Sequence, residues 1–335
     1  MADFSSAAAP IFAFGIIADL HFLDAENGLN FDGSKVRRFR QSLEMLFRAS
    51  DSFLEATTAC NIMLGDIIDG KAKGLGKQLP FLDEVLDITL RTDRSWHVVL
   101  GNHEYYNFTR EEMFMSLIPP AVKPDCAPTK LYYSFSPHLG YKFIILDGYE
   151  VSTMGAINSE LQQQAVDLVT LKNHNYAAGS NDWFKDLAQE NKRYVPFNGG
   201  ISSAQLEWLG QELTRAVEEG DKCVVFCHMA LNVKASMENN LLWNCEAVLA
   251  TLHKTPKGTV LACIAGHDHN GGYDRDPHGI HHLVPPAPIE CDEGENTFGR
   301  VEVFHDKLQI VWTGKRPISD WTDRLDLDFK KPCSC

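Results

Sequence analysis

An α/β fold is what this 335-residue chain predicts, and three observations predict it. The first third alternates short apolar runs with helical spacing of apolar residues, the pattern of a parallel sheet covered by helices. Short apolar runs return at residues 223–227 and 260–265. Five polar fragments each directly follow one of these runs: Asp19-Leu-His21, Gly65-Asp66-Ile-Ile-Asp69, Gly101-Asn102-His103-Glu104, His228, and Gly266-His267-Asp268-His269. Carboxyl ends of strands are where open α/β sheets build their sites.

The elements follow in order. Residues 11–18 are continuously apolar between Pro10 and Asp19, as in a buried strand. Residues 35–60 carry Val36, Phe39, Leu43, Leu46, Phe47, Phe53 and Leu54 at helical spacing. A second short strand, 61–64, leads into Gly65-Asp66. The amphipathic stretch 80–90 predicts a helix with Pro80 in its first turn, where a missing N–H costs nothing. Residues 96–100 are a third strand. Residues 131–135 and 141–146 predict a pair of strands around a Pro-His-Leu-Gly turn. Residues 151–200 are polar and irregular, and predict an insertion over the site. Helical spacing resumes over 202–219, with Ser202 or Ser203 as cap. Strands follow at 223–227 and 260–265. The strand-rich stretch 280–312 is expected to complete the second sheet. No linker, repeat or low-complexity block divides the chain, so one domain over 1–335 is expected.

Composition narrows the function. A net charge of −14 opposes broad binding to nucleic acid or anionic membranes. It still admits a small anionic substrate where bound cations invert the local field. Residues 1–10 have no basic segment followed by an apolar one, and no apolar run is long enough to span a bilayer. The nine cysteines show no framework or zinc-finger spacing, and Cys333 and Cys335 close a polar tail. A reducing, cytoplasmic setting is expected. Asn107-Phe-Thr109 matches a glycosylation acceptor by chance spacing. Oligomeric state is not legible, and a monomer is plausible.

The fragments supply a metal's ligands. Asp19 and His21, two apart, share a face if the strand direction persists through them, and His267 and His269 repeat that spacing. Asp66 has two oxygens to share between two ions. Asn102 offers a neutral oxygen and His228 another imidazole. Nitrogen and oxygen donors without thiolate suit Mn, Fe, Zn or Co. Two ions sharing a carboxylate hold a hydroxide suited to hydrolysis at phosphorus. Each fragment alone has an ordinary reading as turn chemistry or a satisfied core histidine. Their conjunction, in this order, carries the inference.

That order resembles the calcineurin-like metallophosphoesterase superfamily. The resemblance spans residues 11–282 and implies a two-sheet sandwich flanked by helices, in four αββα layers. It implies that Asp19, His21 and His269 hold one ion, Asp66 bridges, and Asn102, His228 and His267 hold the other. His103 would stabilise the phosphoryl charge or protonate the leaving oxygen, with Asp69 orienting it or a ligand. Within the superfamily, Phe14 to His21, Phe197-Asn-Gly-Gly-Ile201 and Gly266 to His282 are similar to manganese-dependent ADP-ribose/CDP-alcohol diphosphatases. That likeness implies two divalent ions, Mn²⁺ first among them, and small nucleoside diphosphate substrates (ADP-ribose, CDP-choline or CDP-glycerol type) cleaved at the pyrophosphate. Phe31, Tyr105, Cys245 and Tyr273 are candidate substrate contacts, the aromatics by stacking on a base. A cyclic nucleotide phosphodiesterase, or another phosphomonoesterase or phosphodiesterase of the same fold, is the alternative enzyme. A protein phosphatase is disfavoured because Gly70, not Arg, follows Asp69. A non-enzymatic scaffold is disfavoured because no ligand is missing. Gly74-Leu-Gly76-Lys77 lacks the spacing of a phosphate loop and predicts a surface turn. His281 and His282 are expected at a polar strand edge.

Overall fold

The computed structural model describes residues 9–316 and 324–329. The first eight residues and the tail bearing Cys333 and Cys335 lie outside the described residues.

Two six-stranded mixed sheets form the body. The first runs, edge to edge, Arg324–Asp328, Lys307–Gly314, Thr297–Val303, Phe12–Ile17, Cys60–Met63 and Ser95–Val98. The second runs Gly272–Arg275, His281–Val284, Val260–Ile264, Lys222–Phe226, Tyr141–Ile145 and Tyr133–His138. Phe12–Ile17, Cys60–Met63 and Ser95–Val98 pair in parallel, as the strand–helix alternation predicts. In the second sheet, Tyr141–Ile145, Lys222–Phe226, Val260–Ile264 and His281–Val284 are also parallel.

The sheets face one another through aromatic side chains. The Phe14 ring meets Phe143 at 4.8 Å and Phe226 at 6.1 Å, both edge to face. Phe14 stands on the first sheet and the other two on the second, so alternate residues of each strand build a shared core. Helices cover the outer faces. Phe39–Glu55 turns Phe39, Met45, Leu46, Ala49 and Phe53 inward. Ser203–Glu219 buries Leu209, Leu213 and Ala216, and the Ser202 hydroxyl caps it by accepting from Gln205 N at 3.1 Å. No helix among the described residues is long and apolar enough to cross a membrane.

Four expectations are corrected. The stretch 35–60 is not all helix: Val36–Arg37 pairs with Gly28–Leu29 as a small hairpin before the helix begins. The stretch 151–200 is not irregular throughout, because Ser159–Lys172 is a helix whose only buried residues are Ala165 and Val169. The stretch 280–312 does not stay in the second sheet. Only His281–Val284 joins it, and Thr297–Val303 crosses over to pair antiparallel with Phe12–Ile17. His281 and His282 are therefore inside a sheet rather than at its edge, and both are buried. His282 pairs with Asp276 at 3.2 Å and His281 with the Tyr273 hydroxyl at 2.8 Å.

The loops after the first-sheet strands are tied together by one buried carboxylate. Glu104, in the short helix Asn102–Asn107, accepts from Gly101 N at 2.7 Å, Asp66 N at 2.8 Å and Ile67 N at 2.8 Å. Burial and the neighbouring Asp66 push its carboxyl up to about 8, and the three donors pull the other way. A Glu104→Gln protein turns an amide N–H₂ toward backbone N–H groups that need an acceptor. It is expected to lose about 2–3 kcal/mol of stability in urea unfolding, because a buried N–H left without an acceptor costs about 1–3 kcal/mol. A change below ~0.5 kcal/mol would show that this carboxylate does not hold the loops.

Candidate active site

All five fragments emerge at the same edge of the sandwich. Asp19 and His21 follow Phe12–Ile17, and Asp66 follows Cys60–Met63. Asn102 follows Ser95–Val98, His228 follows Lys222–Phe226, and His267 and His269 follow Val260–Ile264.

Their convergence is not the strand alternation expected from the two-residue spacing. The strand ends at Ile17, and Asp19 (φ 43°), His21 (φ 45°), Asp66 (φ 52°) and His267 (φ 67°) are all left-handed. Non-glycine residues rarely adopt that backbone, and it costs roughly 1–3 kcal/mol each where it persists. Each is held. His21 N donates to Asp66 O at 2.7 Å, and His267 N donates to both Asp19 oxygens at 3.1 Å. Glycines make the room. Gly65 has φ 97°, and a Cβ there would stand 2.5 Å from His228 Nδ1; one on Gly101 would overlap Asp66 Oδ1.

Two clusters share no residue: Asp19, His21 and His269 form one, and Asp66, His228 and His267 the other; a third group, His21, Asp66 and His103, overlaps both. His21 Nε2 is 3.1 Å from His269 Nε2, and His228 Nε2 is 3.1 Å from His267 Nδ1. Asp66 Oδ2 lies between them, 3.5 Å from His21 Nε2 and 3.4 Å from His228 Nε2. Asn102 is buried beside this pair of loops, and its Oδ1 receives the Tyr149 hydroxyl at 3.5 Å.

The donor set fits divalent ions. The outer nitrogens of three rings are engaged: His228 Nδ1 with Leu64 O at 2.7 Å, His267 Nε2 with Asn198 Oδ1 at 2.8 Å, and His269 Nδ1 with Glu290 Oε1 at 2.6 Å. In the neutral rings the inner nitrogens of His228 and His267 then carry lone pairs that point at one another. Lone pairs 3.1 Å apart repel unless a cation lies between them, and bonds of ~2.1 Å to one ion place neighbouring nitrogens about this far apart. Without an ion the protons show the same tension. Burial drives His21 and His267 well below the usual imidazole range. His228 is pushed up to about 9, because Asp66 and Asp19 outweigh its burial. Asp66 is held well below the carboxylate range, its burial outweighed by His228 and His103, whereas burial lifts Asp19 to about 6. Glu290 falls to about 2, because His269 and Lys35 outweigh burial.

His103 stands at the open side of this group. Its Nδ1 accepts from Gly70 N at 2.7 Å and lies 3.3 Å from His21 Nδ1. An Nδ1 that accepts leaves the ring proton on Nε2. Asp69 Oδ2 is 3.9 Å from both His103 Nδ1 and His21 Nδ1, beyond hydrogen-bond reach. The orienting bond expected from Asp69 is thus made by its neighbour Gly70, and Asp69 acts on the rings through charge.

The four candidate substrate contacts separate. Phe31 is 78% exposed at the tip of the small hairpin, and its ring is parallel to Trp183 at 6.1 Å. Trp183 is 5.8 Å from Phe197, and Phe197 is 5.7 Å from His267. An aromatic wall therefore leads from the second cluster to Phe31. Tyr105 is buried and gives its hydroxyl to Asp147 at 2.7 Å. Tyr273 bonds His281, and Cys245 is buried with its Sγ receiving Arg193 Nη1 at 3.0 Å. Those three are engaged in packing contacts.

Sequence reasoning missed several residues. Glu290, Asn198 and Tyr149 touch candidate ligands but carry no motif of their own. Arg37 lies 3.8 Å from Asp69 Oδ2 and 3.7 Å from Glu290, which places a cation at the edge of the site. The only signal was for Asn198, which stands in the Phe197-Asn-Gly-Gly-Ile201 stretch that carried the resemblance.

Comparison with known proteins agrees with this geometry. The calcineurin-like phosphoesterase family model matches residues 12–271. A protein from Oryza sativa subsp. japonica named manganese-dependent ADP-ribose/CDP-alcohol diphosphatase is 34% identical over 93% of this chain and 94% of its own. A Homo sapiens protein of the same name is 32% identical over 98% of this chain and 95% of its own. The crystal structure of a dimetal phosphatase from Danio rerio superposes with a TM-score of 0.86 at 30% identity, over 96% of this chain and 99% of that one. The chain belongs to the calcineurin-like phosphoesterase family and is a metal-dependent hydrolase.

Proposed function

We propose that the protein hydrolyses the pyrophosphate bond of small nucleoside diphosphate derivatives, of the ADP-ribose and CDP-alcohol type, with two Mn²⁺ ions. The products are a nucleoside monophosphate and a phosphorylated partner. The observation that carries this reading is the single oxygen, Asp66 Oδ2, set between His21 and His228 where the two donor clusters meet. The full-length relatives named for this activity support it.

In this reading Asp19, His21 and His269 hold one ion, Asp66 bridges, and Asn102, His228 and His267 hold the other. Such ions supply Lewis acidity and a water acidic enough to ionise near pH ~7. The remaining steps belong to the chain. His103 presents Nε2–H toward the open side, where it stabilises charge or gives a proton to the leaving phosphate. Gly70 N holds that tautomer. Asp69 favours the charged ring by proximity. Arg37 adds a fixed cation for the diphosphate, which offsets the −14 charge of the chain at the place where an anion must enter. Phe31 and the wall behind it offer the nucleobase a stacking surface.

The deciding assay supplies Mn²⁺ and compares ADP-ribose and CDP-choline with cyclic nucleotides and p-nitrophenyl phosphate. Release of AMP or CMP at the highest kcat/KM is expected. Preference for a cyclic nucleotide would overturn the substrate reading. A His103→Ala protein should keep both ions and lose kcat by ~10²–10⁴-fold, the range for a general acid. An undiminished kcat would remove His103 from the chemistry. A Phe31→Ala protein should raise KM for ADP-ribose by about 5–10-fold, the equivalent of ~1 kcal/mol of lost stacking, and leave kcat within about twofold. An unchanged KM would place the base elsewhere.

A further inference from the structure

Asn198 is the most informative residue outside the ligand set. It is fully buried, and its amide is hydrogen-bonded at both ends. Nδ2 donates to Arg193 O at 3.0 Å and to Asn239 O at 2.8 Å. Both of these partners are carbonyls, so the N–H₂ end of the amide must face them and Oδ1 must face the other way. Oδ1 meets His267 Nε2 at 2.8 Å. An oxygen with no proton to give obliges His267 to be the donor, so its neutral ring carries the proton on Nε2 and a lone pair on Nδ1. That Nδ1 faces His228 Nε2. The Leu64 carbonyl dictates the matching tautomer of His228 from the other side.

The place of Asn198 in the chain adds meaning to the contact. It lies near the end of the stretch 151–200, which was expected to cover the site as an insertion. The next residues, Gly199–Gly200, pair with Val151–Ser152 and close that stretch at its base. The preceding residue, Phe197, stands against the His267 ring and Trp183. The Arg193 carbonyl that anchors the amide also receives Trp243 Nε1 at 2.8 Å. The segment that forms the aromatic wall therefore also orients one histidine of the second cluster.

We propose that Asn198 is a positioning residue that fixes the Nε2–H tautomer of His267 and so sets the affinity of the ion held by His228 and His267. The proposal rests on the two-ion reading of the site. Removing a hydrogen-bond partner of a ligating histidine typically costs 10–100-fold in metal affinity.

The test is substrate-free Mn²⁺ titration followed by the electron paramagnetic resonance signal of free ion, on the full chain. Wild type is expected to bind two ions. Asn198→Ala should bind one as before and the other about 10–100-fold more weakly. Asn198→Asp keeps an acceptor for His267 and discards the donors to Arg193 and Asn239, so it should retain both ions. Equal weakening in the two variants would mean that Asn198 only orders its loop, and would overturn the proposal. So would wild-type affinities in Asn198→Ala. Should the alanine variant not fold, nitrogen-15 imidazole spectra of the Zn²⁺-loaded wild type decide. A His267 proton on Nε2 is expected, and one on Nδ1 overturns the proposal. Wild type that binds no pair of ions would sink the two-ion reading and this proposal together, whereas paired ions unmoved by either variant would sink this proposal alone.

Discussion

The site depends first on the Glu104 carboxylate. Beyond Met63 and Val98 the parallel ladder of the first sheet stops; the N–H groups of Leu64, Asp69 and Val99 still reach backbone carbonyls, whereas those of Asp66, Ile67 and Gly101 bond to a side chain instead. Glu104 replaces that ladder, taking Asp66 N and Ile67 N from one loop and Gly101 N from the other. Buried N–H groups without an acceptor would cost about 1–3 kcal/mol each, so one side chain stabilises what would otherwise be the weakest part of the fold. Its position has a second effect. With Asp66 N held, the Asp66 side chain reaches back, and Oδ1 accepts from His103 N at 2.8 Å. The other oxygen is left free to face His21 and His228.

A second constraint acts on the backbone. Four of the seven proposed ligands are left-handed, in a chain with six such non-glycine residues among those described. A strand that simply continued would space Asp19 and His21 about 7 Å apart along a straight path. Left-handed turns curl the chain instead, so that a carboxylate and an imidazole from one loop meet an imidazole from another. The strain persists because the bonds from His21 N to Asp66 O and from His267 N to Asp19 over-determine it. Gly65 and Gly101 remove the Cβ atoms that would otherwise meet His228 and Asp66.

These two features explain what was legible in the sequence. Apolar runs ending in Asp, Asn or His marked the strands and the candidate ligands, because burial and metal-ligand chemistry each leave a local mark. The helix Ser159–Lys172 left little mark, since only Ala165 and Val169 are buried and most of its other residues are exposed. The crossing of Thr297–Val303 to the first sheet depends on which edge is unfilled, and that is a property of the whole fold. The contacts of Glu290 and Asn198 were not legible for a similar reason. Their partners His269 and His267 are 21 and 69 residues away, and no spacing rule connects an acceptor to an imidazole over such distances. The His103 region shows the finer limit: Asp69 was legible as acidic support, but the bond to His103 comes from the backbone of Gly70, which has no side chain to read.

The acceptors behind the histidines also make the two halves of the centre unequal. His269 is backed by a carboxylate, Glu290, whereas His267 is backed by a neutral amide and His228 by a carbonyl. A carboxylate behind an imidazole raises its basicity more than a neutral acceptor does. Each cluster has one carboxylate of its own, Asp19 in the first and Asp66 in the second, so Glu290 is what makes the first the more acidic. Lys35, at 3.2 Å from Glu290, and Arg37, at 3.7 Å, sit on that side and limit the excess. Both belong to the segment around the Phe31 hairpin, and Lys35 also reaches Asn270, next to His269, at 2.6 Å. The hairpin that exposes Phe31 thus brings positive charge to the more acidic half, while residues 151–200 bring a neutral clamp to the other. In the proposed reading, each surface that would receive substrate is bonded to a different half of the metal centre, so the orientation of a bound nucleotide is tied to the asymmetry of the ions beneath it.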